Sequence, residues 1–135
     1  MPARKFKVTM SERCYRFKPA ALTDHAPTKP GVYEFVMFDA DKKPVVLYVG
    51  SAGPGSSIQE ELAKHMSDEN RPTTSELFAN SPDIYFDFVV SADIAEIEEL
   101  KDIAGALIAK HKPRFNADKA PSSGKHEAVE IEEVD

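Results

Sequence analysis

An alternation of apolar and polar residues predicts a short strand near the start of the chain. Apolar Phe6, Val8 and Met10 alternate with lysine and threonine, which is the period of a strand with one buried face. Since two of the polar positions are lysines, we interpret the segment as an edge strand with a basic outer face. Residues 19–28 contain several breaking residues and are interpreted as a linker.

Two apolar runs further along the chain predict a hairpin. Residues 31–38 and 44–49 are rich in valine and aromatic side chains and flank the polar loop 39–43. Such runs favour strands, and a five-residue polar loop joins two of them as an antiparallel hairpin. A second alternation over residues 84–90 predicts a third strand.

Helix starts are marked by a serine and a threonine, each followed by glutamate at the third position. Ser57 precedes a helix with one apolar stripe, and Thr73 precedes a shorter one, as in capping boxes. Residues 93–110 predict the longest helix, which Pro113 ends. The order ββααβα predicts an α/β (α+β) fold in which a small three-stranded antiparallel sheet is flanked by helices.

Composition narrows the class of protein. The chain has 135 residues and one cysteine, so we expect one domain and no intramolecular disulfide. It contains no run of eighteen apolar residues and begins without the apolar stretch of a secretory signal. We therefore expect a cytoplasmic protein without a membrane segment.

Charge is distributed unevenly around a net value of −6. Residues 1–29 carry +5, residues 30–116 carry −7 and residues 117–135 carry −4. We divide the chain accordingly into a basic strand and linker segment, a central domain and an acidic tail. The tail has little apolar area to bury, so we predict that it is disordered. Such a tail is usually only solubilising, and the functional alternative is that it masks the basic N-terminal segment.

Short motifs in the central domain resemble a known family. The runs Pro30-Gly31-Val32-Tyr33 and Tyr48-Val49-Gly50, with Pro113-Arg114-Phe115-Asn116 after the last helix, are similar to the GIY-YIG nuclease domain. The closing segment looks like that of the N-terminal nuclease domain found in the excision-repair branch of this family. The resemblance covers residues 30–116 and implies a three-stranded sheet flanked by helices. It also implies phosphodiester cleavage with a single metal ion.

The resemblance assigns candidate roles to individual residues. Tyr33, Tyr48 and His65 match the family's catalytic positions. The candidate nucleic-acid-binding residues are Gly50, Ser51, Lys110, Lys112, Arg114 and Asn116.

Two positions depart from the family pattern. Glu61 stands where the family has an arginine, and Ala104 stands where it has the metal-binding glutamate. A carboxylate in place of the arginine repels a phosphate. Glu61 and Glu99 are weak alternatives as metal ligands, and Glu61 lies four residues from His65, a spacing that can bind a divalent metal but is also that of an ordinary surface pair.

The sequence therefore favours a GIY-YIG-like domain without nuclease activity and without a cofactor. We expect it to bind DNA or RNA, or a protein partner, and the sequence leaves its oligomeric state open. The alternative is a divergent endonuclease that cleaves DNA phosphodiester bonds with Mg²⁺ or Mn²⁺.

Overall fold

The computed structural model describes residues 4–116, 123–124 and 128–133, which form a mixed α/β fold. The strands are β1 (Arg4–Met10), β2 (Tyr15–Arg16), β3 (Gly31–Phe38), β4 (Pro44–Ala52), β5 (Tyr85–Ala92) and β6 (Val129–Glu133), and the helices are α1 (Pro19–His25), α2 (Ile58–Met66), α3 (Thr74–Phe78) and α4 (Leu100–His111). The expected mixed class is confirmed. No helix among these residues has the length and apolar character needed to cross a membrane.

The described strands form one sheet in the order β4-β3-β5-β1-β6, and β2 also pairs with β5. All pairings are antiparallel except that of β1 with β6. The helix α4 packs against both β4 and β6, the two end strands, so the sheet curls around it. The sheet thus has six strands where the sequence predicted three, because β1, β2 and β6 extend the β3, β4 and β5 core.

The N-terminal segment differs from its prediction in two ways. Residues 19–25 form the helix α1 rather than a linker, because a proline is tolerated in the first turn and Leu22 has an apolar surface to pack on. The strand β1 is not an edge strand, because it lies between β5 and β6.

Part of the predicted acidic tail is ordered. Val129–Glu133 form β6, where the sequence predicted disorder, and this strand pairs in parallel with β1. Val129 and Ile131 alternate with glutamates and pack on the core, which provides the apolar face that overall composition did not reveal. Residues 117–122, 125–127 and 134–135 of the predicted tail lie outside the described part of the chain.

The last helix is shorter than the predicted 93–110. A 3-10 turn, Ile97–Glu99, precedes α4, and the Glu99 carboxylate accepts hydrogen bonds from the amides of Ala95 and Glu96 at 2.8 and 3.0 Å. These bonds keep the preceding backbone in a turn. At the other end, Lys112 adopts a left-handed conformation that ends the helix.

Two hydrophobic clusters cover the two faces of the sheet. Tyr33 and Phe35 of β3 enter one cluster with α1, α2 and α3, and Val32, the residue before Tyr33, enters the other with α4. This division follows from the period of two along a strand. The candidate tyrosines therefore lie on the face opposite α4.

A pair of buried carboxyl groups lies inside the sheet, on the α4 face. Glu34 of β3 stands opposite Asp87 of β5, and Glu34 is only 3% exposed. The Nε2 atom of His111 lies 3.7 Å from Glu34 Oε2, and the Cys14 thiol donates to Asp87 over 3.9 Å. Glu34 Oε2 and Asp87 Oδ1 are buried and make no hydrogen bond with the described residues.

Burial decides the protonation of this pair. Burial, followed by the charge of Asp87, raises the pKa of Glu34. Burial is also the main cause that raises the pKa of Asp87. Two adjacent buried carboxylates cannot both ionise cheaply, so the pair keeps a proton at neutral pH. Burial and the Asp87 charge likewise raise the pKa of Cys14 to about 12, so this thiol stays protonated.

The pair predicts a stability that falls as pH rises. In the unfolded chain Glu34 ionises near its ordinary pKa of 4.5, whereas in the folded protein it keeps its proton to a much higher pH. Above pH 4.5 the folded protein therefore holds one proton more than the unfolded chain, and the free energy of unfolding falls by about 1.4 kcal/mol per pH unit. Urea unfolding at pH 5, 7 and 9 should show this decline, and Glu34→Gln should flatten it. The exposed Glu12→Gln is the control, and an equal slope in all three proteins would contradict the assignment.

Candidate functional site

The hairpin of β3 and β4 places Tyr33 directly over Gly50. The two residues are paired across the strands, and a Cβ on Gly50 would lie 2.4 Å from the Tyr33 ring and hydroxyl. Only glycine leaves room for a ring at that distance. Gly50 therefore positions the candidate tyrosine and has no side chain with which to contact a ligand.

A hydrogen-bonded chain joins Tyr33 to the helix α2. The Tyr33 hydroxyl lies 2.8 Å from Nε2 of His65, and Nδ1 of His65 lies 3.0 Å from the carbonyl oxygen of Pro72. His65 is fully buried and Tyr33 is 2% exposed. Both ring nitrogens of His65 are thus used inside the protein.

The carbonyl of Pro72 sets the direction of this chain. Because a carbonyl oxygen only accepts, Nδ1 of His65 carries the hydrogen and Nε2 accepts from the Tyr33 hydroxyl. Burial lowers the pKa of His65, and the bond to Pro72 offsets this only in part. Burial, followed by the nearby Tyr48 and Glu61, raises the pKa of Tyr33. At neutral pH we therefore assign a neutral imidazole and a protonated phenol.

Tyr48 completes an aromatic cluster around His65. Its ring centroid lies 5.3 Å from that of His65 and 6.3 Å from that of Tyr33. Burial and the Glu61 charge raise the pKa of Tyr48. The structure thus brings the three candidate catalytic residues together, with both phenols in the protonated form.

Glu61 is the negatively charged group nearest the two tyrosines in the described part of the chain, and its carboxylate is held by three donors. Ser56 donates to Glu61 Oε2 at 2.8 Å, Asn70 donates to Oε1 at 3.1 Å, and Lys64 lies 3.3 Å from Oε2. Partial burial alone would raise its pKa, but these hydrogen bonds together lower it. Glu61 is therefore a stable anion beside the two tyrosines.

The residues present do not fit the single metal ion that the family resemblance implies. The carboxylate of Glu61 faces Ser56, Asn70 and Lys64, and His65 has no free ring nitrogen. Within the described ranges, no group of three or more His, Cys, Asp or Glu side chains could hold a metal ion.

The other two positions considered for the metal have structural roles. Ala104 is 1% exposed and packs in the cluster beneath α4. Glu99 is buried at the start of that helix, where it accepts the two backbone amides described above. Neither position contributes an oxygen ligand beside Tyr48, so no catalytic step is assigned to a metal.

The closing motif fastens the end of α4 to the outer edge of β4. The Asn116 amide accepts from Val49 N–H at 2.7 Å and donates to Val49 C=O at 3.0 Å. One residue earlier, Phe115 N–H donates to the carbonyl of Leu47 at 3.0 Å. Asn116 thus pairs with the strand as a neighbouring backbone would, between Tyr48 and Gly50, and its amide is used within the fold.

A groove of about 480 Å³ lies between the edge of β4 and the end of α4. It is lined by Pro44–Leu47 and by the basic side chains of His111, Lys112 and Arg114. Arg114 donates to the side chain of Asn80, a neutral partner, so its charge is not cancelled there. Lys112 makes no ion pair with any residue that the structure describes.

The remaining candidate binding residues lie apart from this groove. Lys110 forms an ion pair with Glu133 of β6 at 3.1 Å. Ser51 is half-buried on β4, opposite Val32. The predicted binding residues are therefore not on one surface: Lys112 and Arg114 line the groove, Lys110 pairs with β6, and Ser51 lies in the hairpin.

Sequence reasoning missed the groups that surround the candidate residues. Pro72 accepts from His65, while Ser56 and Asn70 hold Glu61. These partners depend on how loops fold back on α2, which no local pattern reveals. Ser56 lies just before the predicted helix start at Ser57, and this position next to the first turn of α2 was the one indication in the sequence that Ser56 could reach Glu61.

Comparison with known proteins adds no assignment. No family model, curated protein or solved structure matches the chain. The likeness to the GIY-YIG domain therefore remains an expectation drawn from the sequence motifs.

The contact between Tyr33 and Gly50 predicts a sharp cost for a single methyl group. Gly50→Ala should push the Tyr33 ring away from His65 and lower the unfolding free energy by about 2–3 kcal/mol. Gly53→Ala is the matched control, because a Cβ there meets no atom within 4 Å. Equal unfolding midpoints in urea for the two variants would show that the ring does not lie over Gly50.

The bond between Tyr33 and His65 predicts a cost for removing one oxygen. Tyr33→Phe leaves the buried Nε2 of His65 without a donor and should lower the unfolding free energy by about 1–3 kcal/mol. Tyr48→Phe is the control, because the Tyr48 hydroxyl makes no hydrogen bond within the described ranges. Urea unfolding measures both, and a larger loss for Tyr48→Phe would refute this chain of hydrogen bonds.

Proposed function

We propose that the protein is a non-catalytic GIY-YIG-like domain that binds nucleic acid. The observation that carries the binding proposal is the basic groove beside the edge of β4, whose positive charge comes from Lys112 and Arg114. Phosphate affinity comes mainly from clustered lysine and arginine side chains. The overall charge of −6 favours modest affinity.

The state of the tyrosine cluster supports the non-catalytic part of the proposal. A general base must accept a proton, but the raised pKa of Tyr33 keeps it protonated, and its hydroxyl donates to His65. Glu61 places a negative charge where the family has an arginine, and like charge disfavours a phosphate at that position. The cluster therefore serves to hold β3, β4 and α2 together.

One observation favours the alternative of a divergent endonuclease. The Glu61 charge acts on both Tyr33 and Tyr48, so a carboxylate does lie near the two phenols. Incubation of the purified protein with branched and single-stranded DNA and Mg²⁺ or Mn²⁺ tests this alternative. Cleavage by the wild-type protein that Tyr33→Phe abolishes while the variant stays folded would establish the nuclease and overturn the non-catalytic proposal.

The binding proposal predicts a shallow salt dependence that arises from two side chains. Fluorescence anisotropy with labelled 20-nucleotide single-stranded and duplex DNA should give a linear decrease of log K with log salt concentration. Replacing Lys112 and Arg114 by glutamine should reduce the slope by about 1.4 for single strands and 1.8 for duplex. The exposed Lys101→Gln, at the other end of α4, is the control.

Two results would contradict this prediction. An unchanged slope in the Lys112 and Arg114 variant would move the binding surface elsewhere. Absence of binding to either DNA and to the matching RNA at 20 mM salt would exclude nucleic acid and leave a protein partner as the ligand.

A further inference from the structure

The C-terminal strand β6 brings acidic side chains onto the basic strand β1. The parallel register places Lys5 opposite Glu130 and Lys7 opposite Glu132, and Arg4 N–H donates to the carbonyl of Ala128 at 2.9 Å. β1 belongs to the segment that carries +5, and β6 belongs to the segment that carries −4. Opposite charges in the sequence are therefore adjacent in the fold.

Among the residues that the structure describes, two ion pairs connect β6 to basic side chains. Glu132 lies 3.3 Å from the ammonium group of Lys5, and Glu133 lies 3.1 Å from that of Lys110. Lys110 stands in the last turn of α4, two residues before Lys112 of the basic groove. Glu133 thus neutralises a cation on the last turn of α4 that lies outside the lining of the groove.

We propose that the acidic residues of β6 form an intramolecular charge mask, which neutralises Lys5 and Lys110 and weakens the binding of nucleic acid. The inference rests on the proposed nucleic-acid function. In this proposal β6 competes with nucleic acid, because its glutamates form ion pairs with lysines that phosphates would otherwise contact.

The geometry makes this mask reversible. All four side chains of the two ion pairs are between 39% and 56% exposed, so each pair is weak and screened by salt.

A charge-neutralising variant tests the mask while keeping the apolar contacts of β6. The variant changes Glu130, Glu132 and Glu133 to glutamine, and the control makes the same change in net charge at Asp24→Asn, Glu69→Gln and Glu98→Gln, which are exposed. Anisotropy with the labelled 20-nucleotide DNA at 50 mM salt measures the affinities. We expect the β6 variant to bind about 3-fold to 30-fold more tightly than the wild-type protein. Its salt slope should be steeper by about 1.4 for single strands, since two cations are freed.

A second variant shows whether the freed lysines cause the gain. Adding Lys5→Gln and Lys110→Gln to the β6 variant should remove the increase in affinity. A gain that survives these two changes would arise from another surface exposed by β6 and would overturn the mask.

The remaining outcomes separate this inference from the function on which it rests. Equal affinities for the wild-type protein and the β6 variant would overturn the mask and leave the proposed function intact. An equal gain in the control would also overturn it, because a general charge effect would then suffice. Failure of every protein to bind DNA and the matching RNA would overturn both.

Discussion

The hydrogen bond from Tyr33 to His65 is the contact on which the centre of the domain depends. It joins β3 to α2, and it continues through His65 to the carbonyl of Pro72 in the loop before α3. The Tyr33 ring reaches His65 only because Gly50 offers a bare backbone beneath it. Since His65 is fully buried, each of its nitrogens needs a partner, and losing either one leaves an unsatisfied polar atom. One set of contacts therefore fixes β3, the position of Gly50 in β4, the helix α2 and the loop before α3 relative to one another.

The same contacts limit the chemistry available to this region. The Tyr33 phenol is protonated, and the Nε2 lone pair of His65 accepts from it, so neither group is free to take a proton from a substrate. The neighbouring Glu61 is a stable anion held by three donors. Positive charge lies elsewhere, at the end of α4, where Lys112 and Arg114 line a groove and Glu133 of β6 pairs with Lys110. The domain thus separates a buried polar centre from an exposed basic surface. This separation favours binding over bond cleavage and underlies the proposed function.

Local patterns predicted the local features, and contacts between distant segments account for the differences. The Thr73 capping box formed as expected, because capping depends on residues within one turn. The helix α1 was missed because its breaking residues lie where a helix tolerates them, and its stability comes from Leu22 packing on the core. β6 was missed because its apolar residues gain a partner only when β1 lies beside them. For the candidate site, the tyrosines and His65 were found from motif positions, whereas the buried pair of Glu34 and Asp87 left no periodic pattern to recognise.

The protonation state of His65 tests the central claim most directly. Nitrogen-15 chemical shifts of its ring, measured from pH 5 to pH 8, distinguish the neutral tautomers from the imidazolium. The hydrogen-bonded chain predicts a proton on Nδ1, an unprotonated Nε2 at neutral pH, and a pKa below the ordinary value of 6.5. A proton on Nε2, or titration at or above pH 6.5, would contradict the donation from Tyr33 and the structural role assigned to this centre.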